Sequence, residues 1–245
     1  MIQPIKHFPI NWVDGMKISR THFIEEENFV IDAVRDAASL QISNLNYGLL
    51  PIADQYGNRT VYEIQSTATN DAQLIIKKCS AVTPAGNRIE ISDFRMNVRE
   101  LVKNYQEDEN SADGEFFILA SVNPFDKVAF GEIDSDEIPP RHPYTRPNYR
   151  IELVETTVLN SSYSGGNYVV LGKVAIRSGI TQIDANFIPP CTVVESYPRL
   201  LDYYSAYSAS WSNLRQYAFK ILQKTAHQNQ NTALAHNVKT MCQTM

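Results

Sequence analysis

The residues best placed to do chemistry are His22, Glu25 and Glu26. On a helix, side chains three and four apart share a face, so an imidazole and a carboxylate would stand side by side. That pairing is the start of a metal site and of a metal-dependent enzyme, but a working site needs further ligands the sequence does not mark. An alternative use is a histidine packed at a helix start, with acids near the positive end of the dipole. Asp134, Asp136 and Glu137 form a second acidic group, without the glycine turn and closing glutamate of a calcium loop. Arg141-His142-Pro143 beside them suits surface decoration or a partner contact. Cys79, Cys191 and Cys242 are distant, odd in number and outside any nucleophile or metal-knuckle pattern. Glycine loops that cradle phosphate and strained serine elbows are missing too. The expectation is therefore no enzyme, no cofactor and no metal.

Composition narrows the class further. A net charge of −5 and no dense basic run exclude a general nucleic-acid binder, which must displace counterions with clustered Lys and Arg. No stretch approaches the roughly 18 apolar residues needed to span a bilayer. The N-terminus lacks the basic-then-apolar pattern of a secretory signal, and the cysteine usage suits a reducing cytoplasm. Thirteen Tyr and ten Phe favour wide buried surfaces and contacts between chains.

Stepping along the chain, Pro4 and Pro9 make the first ten residues an extended arm. Ser19 or Thr21 can cap a helix running to about Ser43. Its apolar face is Phe23, Val30, Val34, Ala37 and Leu40, with Trp12 and Phe23 expected to anchor arm and helix on the next layer. From Tyr47 to about Ala185 the period becomes two. Arg88 to Ser92, Phe94 to Arg99 and Tyr149 to Leu153 alternate as half-buried strands, whereas Phe116 to Ala120 is apolar throughout and reads as a central strand. Thr83-Pro84-Ala85-Gly86 and Ser164-Gly165-Gly166-Asn167 supply turns. Short strands with repeated turn signals predict an antiparallel β-sandwich. Residues 123–147 carry Pro124, Pro139, Pro140, Pro143 and Pro147, which predicts a long loop, either binding something or disordered.

After Ile188-Pro189-Pro190-Cys191 the pattern turns helical. Leu200, Tyr204, Tyr207, Trp211, Leu214, Ala218, Ile221 and Thr225 recur at alternating steps of four and three, a sustained heptad seam. Leu201, Tyr203, Tyr217 and Leu222 widen it, so the stripe needs more than one partner helix, in a bundle or a multi-chain neck. A helix that caps its own sandwich is the other reading. A break is expected at Asn229 to Asn231, then a second apolar series at Leu234, Val238 and Met241. The chain thus divides into residues 1–194, a mainly β domain with an N-terminal arm and helix, and residues 195–245, a helical segment.

Several segments resemble one family. Asn11-Trp12-Val13-Asp14-Gly15-Met16-Lys17-Ile18-Ser19-Arg20-Thr21-His22-Phe23 is similar to the opening signature of the TssK family, cytoplasmic baseplate subunits of type VI secretion systems. Tyr47-Gly48-Leu49 matches the aromatic-Gly-Leu that follows the first helix there. Phe187-Ile188-Pro189-Pro190-Cys191 resembles the aromatic-Ile-Pro-Pro-Cys that closes the family's first domain. Arg20-Thr21 departs from the usual Pro-Gln before His-Phe, which marks a divergent member. The similarity spans about residues 8–225.

The resemblance implies a homotrimer with a β-sandwich shoulder like that of phage receptor-binding proteins, a helical neck and a C-terminal head. In that family the shoulder binds TssF-like and TssG-like baseplate subunits, and the head binds the membrane complex at the inner membrane. This chain ends where the neck is under way, so it is expected to be a truncated or headless form, in touch with the membrane complex only through a head it does not carry. The resemblance gives structural roles to Trp12, Gly15, Met16, His22, Phe23, Pro189 and Pro190, with Gly15 permitting a turn and Pro189-Pro190 stiffening the sandwich-to-helix junction. Self-association falls to Leu200, Tyr204, Tyr207, Trp211, Leu214, Ala218 and Ile221. A phage-tail receptor-binding or adhesion module is the alternative with the same shoulder and neck.

Overall fold

In the computed structural model, the described residues are 4–43, 45–51, 61–66, 72–103, 113–162, 166–178, 180–228, 233 and 236–240. The chain forms two compact units, Met1–Tyr197 and Pro198–Met245.

The first unit opens with an extended arm and helix α1, Arg20–Ser39. Strands β1 (Gly48–Leu49), β2 (Val61–Ser66), β3 (Ala72–Val82) and β4 (Arg88–Asn97) make one antiparallel sheet, with β3 paired to the other three. After α2, Val98–Lys103, come β5 (Gly114–Phe130), β6 (Tyr144–Glu155), α3 (Thr156–Ser162), β7 (Tyr168–Arg177) and β8 (Ile180–Ile183). The second sheet has the order β6-β5-β7-β8, also antiparallel. Alternating side chains of both sheets interdigitate in one core that includes Leu74, Ile76, Ile89, Phe116, Ile118 and Leu171. This is the expected mainly β fold with helices, an antiparallel sandwich joined to a helical segment. The apolar run at Phe116 lies on β5, which has neighbours on both sides and needs no wet face.

The two turn signals meet in space. Thr83 and Asn87 close the β3–β4 hairpin, and Gly86 takes a φ of 86° that side chains rarely adopt. Ala85 then donates to the Gly166 carbonyl (3.0 Å), and the Asn87 amide donates to Asn167 Oδ1 at 2.7 Å.

Three expectations need correction. Helix α1 ends at Ser39 rather than Ser43. Val98 and Arg99 belong to α2 rather than to the strand before it. The segment 123–147 is a loop only in its middle: β5 continues to Phe130, β6 starts at Tyr144, and residues 131–143 connect them. Of the five prolines only Pro124 and Pro147 lie in strands, where the register shifts between Asn123 and Lys127, and Pro139, Pro140 and Pro143 stay in the connection. Pro124 falls inside that bulge, and Pro147 lies on β6, an edge strand with one neighbour. Both are places where a missing N–H is tolerated.

In the second unit, α4 runs unbroken from Pro198 to Gln228. Pro198 occupies the first helical position, where its absent N–H costs nothing. Residues 236–240 are helical again. The break expected at Asn229 to Asn231, together with Leu234, Met241 and Cys242, lies outside the described residues.

Candidate docking surfaces

The arm is tied to α1 by polar groups, and the tie explains why α1 sits where it does. Asp32 is completely buried; one of its carboxylate oxygens accepts the backbone amides of Lys6 (2.5 Å) and His7 (3.0 Å). Its other oxygen lies 2.7 Å from the Arg35 guanidinium, which itself donates to the Pro4 carbonyl at 3.1 Å. Burial alone would raise the Asp32 pKa. The two amides and the guanidinium outweigh that and hold it below its ordinary value. Further along, the Ile10 amide donates to Glu26 (3.2 Å) and the His7 ring lies 3.4 Å from Glu25. The arm therefore runs antiparallel to the helix, from Arg35 back towards His22.

The bulge in β5 reaches the same place. Phe125 packs against the His7 ring, centroids 4.4 Å apart, and Lys127 pairs with Glu27 at 2.8 Å. An irregularity forced by proline thus seats the arm and helix on the sandwich.

His22 and its acidic neighbours are spent on structure. The His22 ring accepts the Ser19 backbone amide at 3.3 Å, at the helix start, and stands edge-on to Trp12 with centroids 5.9 Å apart. Glu25, Glu26 and Glu27 face the arm and the bulge rather than one shared ion. Among the described residues no group of three or more His, Cys, Asp or Glu is arranged to hold a metal. In the hairpin, Arg141 pairs with Glu137, Asp136 donates its amide to Asp134, and His142 approaches the Gly131 carbonyl at 2.8 Å. Burial pushes the Cys79 and Cys191 thiols up to about 12, with Glu90 adding to the shift at Cys79. Neither is a nucleophile near neutral pH. A cleft of about 160 Å³ between β4 and β6, lined partly by Phe94, Arg146 and Tyr149, is small beside the several hundred Å³ of ordinary ligand pockets.

The expected apolar face of α1 is present but points away from the sandwich. Phe23 is 61% exposed and Val34 64%, with Val30, Ala37 and Leu40 exposed as well. Asn28, Asp32, Arg35 and Ser39 are buried instead. Trp12 is 47% exposed, so neither Trp12 nor Phe23 anchors the arm by burial; the Asp32–Arg35 pair and the glutamates do. The missed signal was in plain view: polar residues 28, 32, 35 and 39 recur at steps of four, three and four. That is the period of a buried stripe, drawn in the wrong chemistry for a core.

Two of the family-like segments interlock at the end of the sandwich. Leu49 donates to the Pro190 carbonyl (2.8 Å), and Thr192 returns both its amide (2.9 Å) and its hydroxyl (3.0 Å) to the Leu49 carbonyl. Gly48, at φ 112°, passes so close that an added Cβ would lie 2.0 Å from the Pro190 oxygen. Pro189 is buried and Pro190 half-buried in this clasp. At the other end of the motif set, Gly15 holds φ 78° in a turn closed by Met16 on Val13, and Met16 is half-buried.

On α4, Tyr204, Tyr207, Trp211, Leu214 and Ile221 are all exposed, Leu200 is half-buried and Ala218 is buried. A 31-residue helix with an uncovered aromatic stripe lacks the burial that stabilises ordinary amphipathic helices.

An antiparallel sandwich carries a surface-mounted N-terminal helix, and one long helix follows it in the chain. The fold is TssK-like. A solved crystal structure of TssK superposes with a TM-score of 0.59 at 14% identity, covering 96% of this chain and 53% of that one. A type VI secretion baseplate complex also gives 0.59, at 11% identity, covering 97% of this chain and 77% of the matched one. The chain thus spans about half the length of that TssK. No protein-family model and no curated protein matches the sequence.

Proposed function

We propose that this chain is a non-enzymatic assembly subunit of a type VI secretion baseplate, working as a homotrimer in the cytoplasm at the inner membrane. Self-association runs through the α4 stripe, and the sandwich docks TssF-like and TssG-like subunits. The observation that carries this reading is the exposed set Tyr204, Tyr207, Trp211, Leu214 and Ile221 along one helix of a TssK-like fold. Burying each large side chain there contributes roughly 1.5–3 kcal/mol, enough over several residues to hold helices of three chains together. The use of Glu25, Glu26 and His22 in capping and in holding the arm supports a structural role over a catalytic one. No described helix is long and apolar enough to cross a membrane. Attachment at the membrane therefore runs through protein partners in this reading.

Light scattering on the wild type and on Trp211→Asp tests the neck. The wild type is expected at a multiple of the 27.7 kDa chain mass and the variant at a lower multiple. A wild type that stays monomeric at micromolar concentration removes the self-association surface. Trp211 is more than half exposed within one chain, so the charge should leave the sandwich folded.

A further inference from the structure

The outward face of α1, on the first unit, is a second uncovered apolar surface. Phe23, Val30 and Val34 line it, and Trp12, Val13 and Ile18 of the adjoining arm are exposed too. At the area typical of such side chains, these six present on the order of 600 Å². That is the top of the range for the largest apolar patch on an ordinary monomer. The exposed Ala33, Ala37 and Ala38 and the rim beside them bring it towards the ~800 Å² that one side of a stable interface buries.

Its own shape says what covers it. On the helix, Glu26 accepts the Ile10 amide and Glu27 is matched by Lys127 of the same chain, while the exposed charges Asp14, Lys17 and Arg20 lie at the arm end of the patch. The stripe is self-complementary. Phe23 is a large knob near its start, and Ala37 is a hollow near its end, 14 residues and about 21 Å further along. Val30 lies midway. Two copies laid antiparallel across Val30 seat each Phe23 against the other copy's Ala37.

We infer that α1 pairs with α1 of a second copy of this chain about a two-fold axis at Val30. The contact is isologous, the same patch on both sides. It rests on the reading of this protein as an assembly subunit and adds a second, independent interface: where α4 closes trimers, α1 joins two of them.

Oxidative cross-linking of full-length cysteine variants tests it. A cysteine on a two-fold axis meets its own copy, so Val30→Cys should give a linked pair in high yield. Phe23→Cys alone should not, and Phe23→Cys with Ala37→Cys should. Sedimentation adds the mass: Val30→Asp is expected to halve the wild-type assembly while circular dichroism stays unchanged, because Val30 is exposed in the single chain. A Val30→Cys yield no higher than that of Phe23→Cys, or an unchanged mass for Val30→Asp, overturns the pairing. Those results leave the α4 neck standing if Trp211→Asp still lowers the mass. Loss of mass in Val30→Asp but not in Trp211→Asp keeps the pairing and sinks the neck.

Discussion

Gly48→Ala is the substitution whose cost can be worked most directly from the geometry. A φ of 112° at position 48 lies where a Cβ is strained, at a cost of roughly 1–2 kcal/mol. The new methyl would also sit 2.0 Å from the Pro190 oxygen and 2.8 Å from the Cys191 nitrogen. The Pro190 carbonyl must retreat by more than ~1 Å to restore van der Waals contact. That breaks the 2.8 Å bond from Leu49 and strains the two bonds from Thr192 to Leu49, each worth about 0.5–1.5 kcal/mol net. The sum is about 3–5 kcal/mol. For a chain of this size, a loss of that order lowers Tm by about 6–20 °C. Thermal melts followed by circular dichroism, with urea unfolding alongside, read the change. Gly15→Ala is the matched control: φ is again positive, at 78°, but nothing lies within 4 Å of the added methyl. It should cost about 1 kcal/mol. If Gly48→Ala is no more destabilising than Gly15→Ala, the clasp between the Gly48 and Pro190 segments does not hold the end of the sandwich as described.

Two further outcomes follow from the buried groups. The Asp32 carboxyl has a folded pKa below its unfolded value of 3.8, so its contribution to stability is complete above about pH 4 and fades as pH falls through the lower, folded pKa. Amide exchange at Lys6 and His7 should therefore stay slow down to about pH 4 and speed up below it, beyond the intrinsic trend. Arm amides that open with a midpoint near neutral pH would point to a different latch. Cys79 and Cys191, with thiols near 12, should react with maleimide far more slowly than a free thiol at pH 8 in the folded protein, and at ordinary rates in urea. Rapid labelling of Cys79 in the native state would contradict its burial.

Much of the fold was readable because strand period and turn chemistry are local. The alternation at Arg88 to Ser92 and Tyr149 to Leu153, and the turns at Thr83 to Gly86 and around Gly166, depend on neighbours a few residues away. The misread parts depended on partners far along the chain. The proline-rich segment looked like a loop because nothing local shows that Pro124 falls in a bulge and Pro147 on an edge. The helix α1 was legible as a helix, but its buried face was not. Apolar spacing points Phe23 and Val34 to the core, whereas an arm held by Asp32 and Arg35 occupies the inner side and leaves them outside. The helix α4 was legible from its spacing alone. The Gly48–Pro190 clasp was visible only as two separate motifs, because its hydrogen bonds join residues more than 140 positions apart.

The most direct test of the assembly account is native mass spectrometry of the full chain co-expressed with TssF-like and TssG-like baseplate subunits. The account predicts a complex holding this chain in multiples of three, with Trp211→Asp losing that stoichiometry. A chain that remains a monomer and binds neither subunit would contradict it.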